Sequence, residues 1–361
     1  MKKLFLIGIV LVCLLVSLMG GYAGKEVTSQ TATEGSITIV DSAGREVRVP
    51  QPLERIVALH GDAAEVIRAL GAKDNIVGIT KYMADEPEFW PELRDRPICG
   101  SSFSPNYEKI VELNPQVVIV YGGTFGFSAS SELEEKMEPA GIKVVKLDCY
   151  KPKTIARDLS TLGLMLGRSE RAAELINFFD EYLGEVHSRI SQLKPEEKVR
   201  VYFEQWTDYK SVAEGAGYHD MVTMAGGINI FAGSGVAYPE VSPEAVLEKG
   251  PQVVIKNTTP KYAASGYTAA DSGEMAALRS ELVGRPGWAN LEAVRNGRVF
   301  VISNEIVGGA KKPIGICYLA KCLYPDKFQD IDPMAMLKEY LEKFQGVPYR
   351  GIYVYPGLEQ R

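Results

Sequence analysis

The stretch Ser104–Ile119, S-P-N-Y-E-K-I-V-E-L-N-P-Q-V-V-I, is repeated in shortened form by Ser242–Ile255, S-P-E-A-V-L-E-K-G-P-Q-V-V-I. Each stretch is typical of a capped helix start, a short helix and a proline-led buried strand. The two serines lie 138 residues apart (242 − 104), well beyond the roughly 20–50-residue period of stacked repeats. The pattern therefore predicts two similarly built α/β lobes, with a ligand-binding or active site in the cleft between them.

The composition is typical of a globular protein. The chain has 361 residues, of which 46% are hydrophobic and 24% are charged, and this length predicts two domains. The formal net charge is −6 and no long basic run occurs. This balance argues against nucleic acid as a partner.

The N-terminus has the pattern of an export signal. Lys2 and Lys3 precede the apolar run Leu4–Met19, which is shorter than the roughly 20 residues of a membrane-spanning helix. We therefore predict a signal peptide over residues 1–23, with an uncleaved anchor as the open alternative. Residues 24–36 are rich in Thr, Ser and Glu, which predicts a flexible tether. The expected location is extracytoplasmic, in the periplasm or on the outer face of the cell membrane.

Strand and helix patterns alternate over residues 37–154 and again over 196–361, which predicts parallel sheets with helices on their faces. Between them, residues 155–195 show apolar residues at helical spacing and no strand pattern. The predicted fold is α/β, with two Rossmann-like lobes joined by a single long α-helix. Gly167-Arg168-Ser169 is the point where the pattern allows a break in that helix.

Three motifs, in order, resemble a known family. Ile37–Ile79, which begins I-T-I-V-D-S-A-G-R-E-V, resembles the opening of periplasmic-type solute-binding proteins of ABC importers for iron-siderophore, haem and cobalamin. Ser104–Ile119 resembles the second motif of that family, and Gly287–Val299 resembles its late W-x5-V-x-x-G-R-V motif. The resemblance implies two α/β lobes joined by one long helix, with limited hinge closing.

The resemblance also implies a function. The chain is expected to capture a metal chelate (an iron-siderophore, haem or a corrinoid) in the inter-lobe cleft and to deliver it to an ABC transporter permease. It would associate with the membrane through its tether or the permease, and it would need no cofactor. One alternative is a binding protein for an oxyanion such as molybdate or tungstate, and another is a tethered receptor that feeds no permease.

An enzyme is the least favoured class. The sequence contains no G-x-S-x-G, H-E-x-x-H or P-loop motif, so we expect no catalytic residues. A metal-cluster enzyme component, with Cys99 as a cluster ligand, is the specific alternative. The cysteines that follow the leader are Cys99, Cys149, Cys317 and Cys322, and they form no C-x-x-C motif. Free buried thiols are favoured, although an exported protein would permit disulfides.

Glu108 and Glu244 occupy equivalent places in the two repeated stretches, soon after the expected serine caps. In the family that the chain resembles, an acidic residue near the start of each such helix forms a salt bridge with a permease arginine. The resemblance therefore implies that these two glutamates dock the permease. The alternative is a local role, because a carboxylate in the first turn of a helix is favoured by the helix dipole.

Ligand contacts are expected in the loops that follow the carboxyl ends of the parallel strands. Glycines, aromatic rings and hydroxyl groups in these loops suit a large planar or multi-ring ligand. In the first lobe the candidates are His60, Gly61, Asp62, Lys81, Tyr82, Ser102, Phe103, Tyr121, Gly122, Gly123, Thr124 and Phe125. In the second lobe they are Gln205, Trp206, Tyr209, Tyr218, His219, Tyr238, Asn257, Tyr262 and Asn304.

Histidines and lysines near these loops raise two further hypotheses. His60 and His219 belong to different lobes, and we expect them to act as neutral hydrogen-bonding groups rather than as ligands of a metal. No metal site is predicted, because the sequence lacks a cluster of His and carboxylate ligands. Lys81, Lys256 and Lys261 are candidates to balance an anionic ligand, with solvated surface lysines as the alternative.

Overall fold

The computed structural model describes residues 35–122 and 129–358, with the backbone alone at positions 129 and 130. The predicted signal peptide, the predicted tether up to residue 34, and the ligand candidates Gly123, Thr124 and Phe125 lie outside these ranges. Over the described ranges, no helix combines the length and the apolar character needed to cross a membrane.

The element bounds follow the alternation that the sequence predicts. The strands are β1 (Ser36–Val40), β2 (Glu46–Pro50), β3 (Ile56–Ala58), β4 (Ile76–Gly78), β5 (Gly100–Ser101), β6 (Ser104–Pro105), β7 (Val117–Val120), β8 (Lys143–Lys146), β9 (Arg200–Glu204), β10 (Ile228–Asn229), β11 (Val253–Thr258), β12 (Val299–Ser303) and β13 (Val354–Tyr355). The helices are α1 (Gly61–Ala69), α2 (Lys81–Ala84), α3 (Tyr107–Leu113), α4 (Ala129–Met137), α5 (Ile155–Met165), α6 (Ser169–Ile190), α7 (Gly217–Met224), α8 (Pro243–Lys249), α9 (Gly273–Val283), α10 (Glu292–Arg295), α11 (Asn304–Val307), α12 (Lys312–Leu323) and α13 (Pro333–Glu339). A π-helical segment, Tyr340–Gln345, follows α13 directly.

Two separate sheets form the centres of the fold. The first has the order β4-β3-β7-β8 and is parallel throughout. The second has the order β10-β9-β11-β12-β13, in which the first four strands are parallel. The predicted α/β class with parallel sheets is confirmed. The edge strand β13 is a departure, because it runs antiparallel to β12.

The segment predicted as one long helix contains two helices, α5 and α6. The break falls at Gly167, whose φ of +64° lies in the left-handed region that favours glycine. Just after it, the backbone N–H of Arg168 donates to the carbonyl of Gly163 at 2.6 Å. Helix α6 has 22 residues, and at 1.5 Å per residue it is about 33 Å long. The lobe boundaries at residues 154 and 196 remain a prediction.

The end of the chain packs back onto the first lobe. Helix α12 packs against α6, α7 and α13, and the π-helical segment packs against α1. Glu65 of α1 is buried, and its Oε1 accepts from Lys311 Nζ at 2.7 Å and from the Tyr340 hydroxyl at 2.9 Å. Gln345 Nε2 donates to the carbonyl of Glu65 at 3.1 Å. These contacts join the lobes in addition to α6.

Each repeated stretch begins with a side-chain N-cap, but the cap of the first stretch differs from the one expected. The N-cap of α3 is Asn106, whose side chain accepts from the N–H of Lys109 at 3.0 Å. Ser104 was expected to cap α3, but it lies in β6. It cannot act as the cap, because the N-cap residue directly precedes the helix. Ser242 caps α8 by accepting from Ala245 N at 3.1 Å. The true offset between the repeats is therefore 136 residues (242 − 106).

Matching side chains tie each repeat to the strand beside it. Arg55 donates to the carbonyl of Asn114, just after α3, at 3.2 Å. Arg200 donates to the carbonyl of Gly250, just after α8, at 3.0 Å. Gln116 accepts from the N–H of Arg55 at 3.0 Å, and Gln252 accepts from the N–H of Arg200 at the same distance. The two lobes therefore contain the same strand–helix–strand unit, as the duplicated sequence predicts.

His60 is the N-cap of α1. Its Nδ1 accepts from the N–H of Ala63 at 3.2 Å, and its ring stacks on that of Tyr121 with 3.9 Å between centroids. Burial lowers the pKa of His60 from 6.5 to about 3. The ring is therefore neutral at physiological pH, as expected.

We predict that Asn106→Ala and Ser242→Ala each lower the free energy of unfolding by about 1 kcal/mol, because each removes a side-chain acceptor from a helix N-terminus. The exchanges Asn106→Ser and Ser242→Asn keep an acceptor and should stay within a few tenths of a kcal/mol of the wild type. Urea titrations of the four variants measure this. Equal stability of the alanine and exchange variants would contradict the capping role.

We also predict that His60 makes the fold sensitive to acid. Between pH 6.5 and about 3, the unfolded chain binds a proton at His60 that the folded chain does not. Stability should therefore fall with decreasing pH in this window, by at most about 1.4 kcal/mol per pH unit. His60→Asn keeps an acceptor without this titration, so its stability should fall less steeply. Urea titrations from pH 7 to 4 test this, with His187→Asn, an exposed position on α6, as control. An identical slope in wild type and His60→Asn would contradict the prediction.

Candidate functional site

Two neighbouring cavities lie where the carboxyl ends of the two sheets meet. The larger has a volume of about 850 Å³ and the smaller about 540 Å³, both within the range of roughly 300–1,000 Å³ typical of small-molecule sites. Asp62 and Tyr121 from the first lobe and Gly308 from the second line both cavities. Residues from both lobes therefore form one cleft with two compartments.

The larger cavity is lined by many carboxylates and by aromatic rings. Its acidic residues are Asp62, Glu65, Asp85, Glu86, Glu88 and Glu305, and its basic residues are Lys261 and Lys311. Burial raises the pKa of Glu305 to about 7 and also raises that of Glu86. Glu305 Oε2 accepts from the N–H of Tyr267 at 2.9 Å. With a pKa of about 7, the Glu305 carboxyl group is partly protonated near neutral pH, so it can donate a hydrogen bond to a ligand as well as accept one.

The boundary between the cavities is formed by Asp62 and Tyr121. The Tyr121 hydroxyl donates to Asp62 Oδ2 at 2.9 Å. Burial raises the pKa of Asp62, although the charge of Lys312 opposes this. From the other lobe, the backbone at Gly309 comes so close that a Cβ there would lie 2.8 Å from Asp62 Oδ1. Glycine at this position therefore permits the close approach of the two lobes.

The smaller cavity contains more basic residues and is rich in aromatic rings. Its rings are Tyr121, Tyr150, Trp206, Tyr218 and Tyr238, and its charged residues are Asp62, Lys151, Lys210, Asp220 and Lys312. A buried amide network supports its wall. Asn257 Nδ2 donates to Gln205 Oε1 at 3.1 Å and to Asn304 Oδ1 at 3.0 Å. The Tyr218 hydroxyl also donates to Asn304 Oδ1, at 2.8 Å.

The structure brings about half of the predicted ligand residues together. Those lining the larger cavity are His60, Gly61, Asp62, Tyr82, Phe103, Tyr121 and Asn304. Those lining the smaller cavity are Asp62, Tyr121, Gln205, Trp206, Tyr218 and Tyr238. Most of them follow a parallel strand directly or lie at the start of the next helix, whereas Phe103 lies in the turn between β5 and β6 and Tyr238 in the loop before α8.

Three predicted residues of the first lobe line neither cavity. Lys81 is exposed and pairs with Asp85 at 2.7 Å. Ser102 is buried, and its hydroxyl donates to the carbonyl of Leu59 at 3.0 Å. The N–H of Gly122 donates to Asp148 Oδ1 at 2.9 Å. Local backbone and ion-pair contacts therefore account for these three residues.

Four predicted residues of the second lobe also line neither cavity. The ring of Tyr209 lies 4.5 Å from the Arg285 guanidinium, and His219 Nδ1 lies 3.2 Å from Asn229 Nδ2. Tyr262 is exposed, and its ring faces Lys261 instead. Asn257 is buried behind the cavity wall and orients the two amide residues that form it.

Lys256 is not available to a ligand. It is buried, and its Nζ lies 2.6 Å from Glu204 Oε1 and 3.1 Å from Asp208 Oδ1. Arg285 completes the cluster through a 2.8 Å contact with Glu204. These close partners offset the cost of burying the ammonium group. Of the three lysines expected to balance an anionic ligand, Lys261 alone lines a cavity of the described residues.

Sequence reasoning missed the segment that follows β12. Gly308, Gly309 and Lys311 line the larger cavity, and Gly308 and Lys312 line the smaller one. The signal was the run G-G-A-K-K-P, which follows β12 and the short helix α11. Adjacent glycines there allow a close approach of backbone to the opposite lobe, as Gly309 shows.

No metal-binding cluster is present among residues 35–122 and 129–358, since no three His, Cys, Asp or Glu side chains there are placed to hold an ion. His60 and His219 do not meet at one cavity. The four cysteines of these ranges are buried and form no disulfide, as the sequence favoured. Burial raises the pKa of Cys99 to about 11, which disfavours the thiolate that a metal cluster requires.

The two predicted docking residues occupy equivalent sites outside the cleft. Glu108 and Glu244 are each the second residue of a seven-residue helix, α3 and α8 respectively. Both are exposed, and neither forms an ion pair with any residue that the structure describes. Their separation of 136 residues (244 − 108) equals the offset of the repeat.

Comparison with known proteins gives relatives with binding functions. The molybdate-binding protein MolA of Haemophilus influenzae is 23% identical over 343 residues, covering 86% of this chain and 92% of MolA. The vitamin B12-binding protein of Vibrio cholerae is 27% identical over 256 residues, covering 68% of this chain and 88% of that protein. These relatives are binding proteins rather than enzymes.

The fold also has solved counterparts. The TroA-like periplasmic binding protein FepB from Veillonella parvula superimposes with a TM-score of 0.76 at 29% identity, covering 88% of this chain and 98% of FepB. A family model described as periplasmic binding protein matches residues 56–306. That match includes β3, β7, β9 and β12, whose carboxyl ends surround the cleft. This chain therefore belongs to the periplasmic binding protein family.

Proposed function

We propose that the chain is an extracytoplasmic solute-binding protein that captures a metal chelate in its inter-lobe cleft and delivers it to an ABC transporter permease. The chelate would be an iron-siderophore, haem or a corrinoid. The observation that carries this proposal is the two-compartment cleft lined from both lobes. Family membership and the vitamin B12-binding relative support the same class of ligand.

The size and walls of the cleft favour a large ligand. Cavities of about 850 and 540 Å³ are joined along Asp62 and Tyr121. Exposed rings line their walls, with Tyr82 at 71% and Trp206 at 37% exposure. Exposed aromatic side chains in a concave site supply apolar area for a multi-ring ligand. Their exposure here favours contact with a ligand over core packing.

A bare oxyanion is the second candidate, and MolA is the observation that favours it. A tetrahedral oxyanion would fill only a small part of either cavity. Its charge would be best placed in the smaller cavity, which contains three lysines. The larger cavity, with its many carboxylates, has no role in this alternative.

We predict that the purified chain binds at least one of cyanocobalamin, haem and a ferric catecholate with micromolar or tighter affinity. Trp206→Ala should weaken that binding at least tenfold, because it removes the apolar area of the ring together with about 0.5–1.5 kcal/mol of ring–ring contact. Ile228→Ala, an exposed apolar position on the edge strand β10, is the matched control. Tryptophan fluorescence and calorimetry measure binding, and an absorbance spectrum with metal analysis identifies any ligand that co-purifies.

The failure of all three chelates, together with tight binding of molybdate, would replace the chelate proposal by the oxyanion alternative. If neither the chelates nor molybdate bind, the transport function itself is wrong.

Permease docking is the second part of the proposal. Glu108 and Glu244 are exposed at equivalent positions of the two lobes, and neither lines the cleft. Two carboxylates at repeat-related positions are suited to meet two permease arginines, as the family resemblance implies. Truncating one partner of an interface ion pair typically costs more than an exposed pair is worth, since the remaining charge stays buried without its partner.

We predict that the double variant Glu108→Ala/Glu244→Ala loses permease association and uptake while its ligand affinity changes less than twofold. The matched control is Glu112→Ala/Glu248→Ala. It removes the exposed acids one turn further along the same helices, at the same 136-residue offset (248 − 112). Uptake into permease-containing proteoliposomes and ligand calorimetry should be measured side by side. Normal uptake by the first variant, or equal loss in both variants, would contradict the docking role.

A further inference from the structure

Lys312 is an unusual cation because it is buried without an ion-pair partner. Its side chain is about 2% exposed at the start of α12. No carboxylate of the described residues lies within ion-pair distance of its Nζ, although other buried lysines, Lys256 and Lys311, have close partners. Burying a charged group without a partner is costly. Burial lowers the pKa of Lys312 to about 8, and the charges of Asp62 and Asp220, which lie beyond ion-pair distance, oppose this only in part. A direct counter-ion would therefore have to come from a ligand.

The surroundings of Lys312 show where that group would lie. The lysine lines the smaller cavity, and its Nζ is 4.3 Å from the ring centroid of Tyr150 and 5.2 Å from that of Tyr218. A Cβ at Gly217 would lie 3.1 Å from Nζ, so glycine keeps the space beside the ammonium group open. The two rings hold the cation by cation–π contact without neutralising it.

A second unsatisfied donor lines the same cavity. Gln205 is about 3% exposed, and its Oε1 is occupied by Asn257 Nδ2. Its Nε2 is buried and has no hydrogen-bond partner among the described residues. A buried donor without a partner is rare in native proteins. Such a donor in a cavity wall indicates an acceptor on the ligand.

A helix terminus adds a third favourable element. Helix α7 begins at Gly217, in the wall of the smaller cavity, and its N-cap is Ala216, which has no side chain that can accept an amide proton. Helix N-termini favour negative charge. Lys151 and Lys210 also line the cavity, but they pair with Asp148 and Glu240 respectively. Of the three lysines that line this cavity, Lys312 is therefore the one without an ion-pair partner among the described residues.

We propose that the smaller cavity is an anion subsite, in which Lys312 Nζ and Gln205 Nε2 hold an acidic group carried on an aromatic ring. The ring would lie between Trp206, Tyr218 and Tyr238, which form the apolar wall of the cavity. This inference rests on the proposed function for its natural ligand and narrows that ligand to one with an aromatic acid arm. Asp62, at the boundary, forms no ion pair with Lys312: its Oδ2 accepts from the Tyr121 hydroxyl at 2.9 Å, and burial raises the pKa of its carboxyl group.

The test uses benzoate as the aromatic acid, benzamide as its neutral match of equal shape, and molybdate as an anion without a ring. Benzoate and benzamide contain few non-hydrogen atoms, so we expect a Kd of about 1–10 mM. Ligand-observed NMR titrations measure binding in this range. Benzoate should bind the wild type at least tenfold more tightly than benzamide does. Lys312→Met should lose at least tenfold in benzoate affinity, and Gln205→Leu, which keeps the lysine, should lose less. Lys338→Met, at an exposed position on α13, should bind benzoate as the wild type does.

Thermal melts of each variant serve as the control for folding. Lys312→Met should fold at least as well as the wild type, because it removes a buried charge. Unchanged benzoate affinity in Lys312→Met, equal affinity for benzoate and benzamide, or the absence of saturable benzoate binding would each overturn the proposal. Molybdate binding that depends on Lys312, without benzoate binding, would also overturn it in favour of a bare oxyanion. Chelate binding that is unaffected by Lys312→Met would refute the subsite alone and leave the transport function intact.

Discussion

The buried carboxylate of Glu65 is the constraint on which the cleft depends. It receives Lys311 and the Tyr340 hydroxyl, both from the end of the chain, while Gln345 donates to its backbone carbonyl. A buried ion pair contributes little net stability, but removal of one partner leaves an uncompensated charge and is strongly destabilising. The contact therefore fixes position more than it adds stability. It holds the segment of Gly308 to Lys312 against α1, and this segment lines both cavities.

This fixed segment explains why the two compartments differ in charge. On one side the segment places Lys311 among the carboxylates of the larger cavity, where it is already paired. On the other side it places Lys312 beside the rings of Tyr150 and Tyr218, where no carboxylate of the described residues lies within ion-pair distance. Of these two adjacent lysines, Lys311 therefore has an ion-pair partner within the protein and Lys312 does not. The cleft is polarised along its length, and a ligand with a distinct acidic end would bind in one orientation.

The sequence predicted the parts of the fold that depend on local signals. Caps, proline-led strands and the 136-residue offset repeat are local, and so the paired helices α3 and α8 were found from the sequence, with an error of two residues at the first cap. Helix α12 was missed because it is buried on every side, so it shows no alternation of apolar and polar faces. Missing α12 also meant missing Lys312. The antiparallel strand β13 is only two residues long, too short for any periodic signal.

The return of the chain end to α1 has a consequence for how the protein is made. The contact between Glu65 and Gln345 spans 280 residues of sequence. Domains normally fold one after another as they emerge from the ribosome. Here the first lobe cannot complete the surface of α1 until the last helices are available. The same contact that orders the cleft in the finished protein therefore postpones its formation during synthesis.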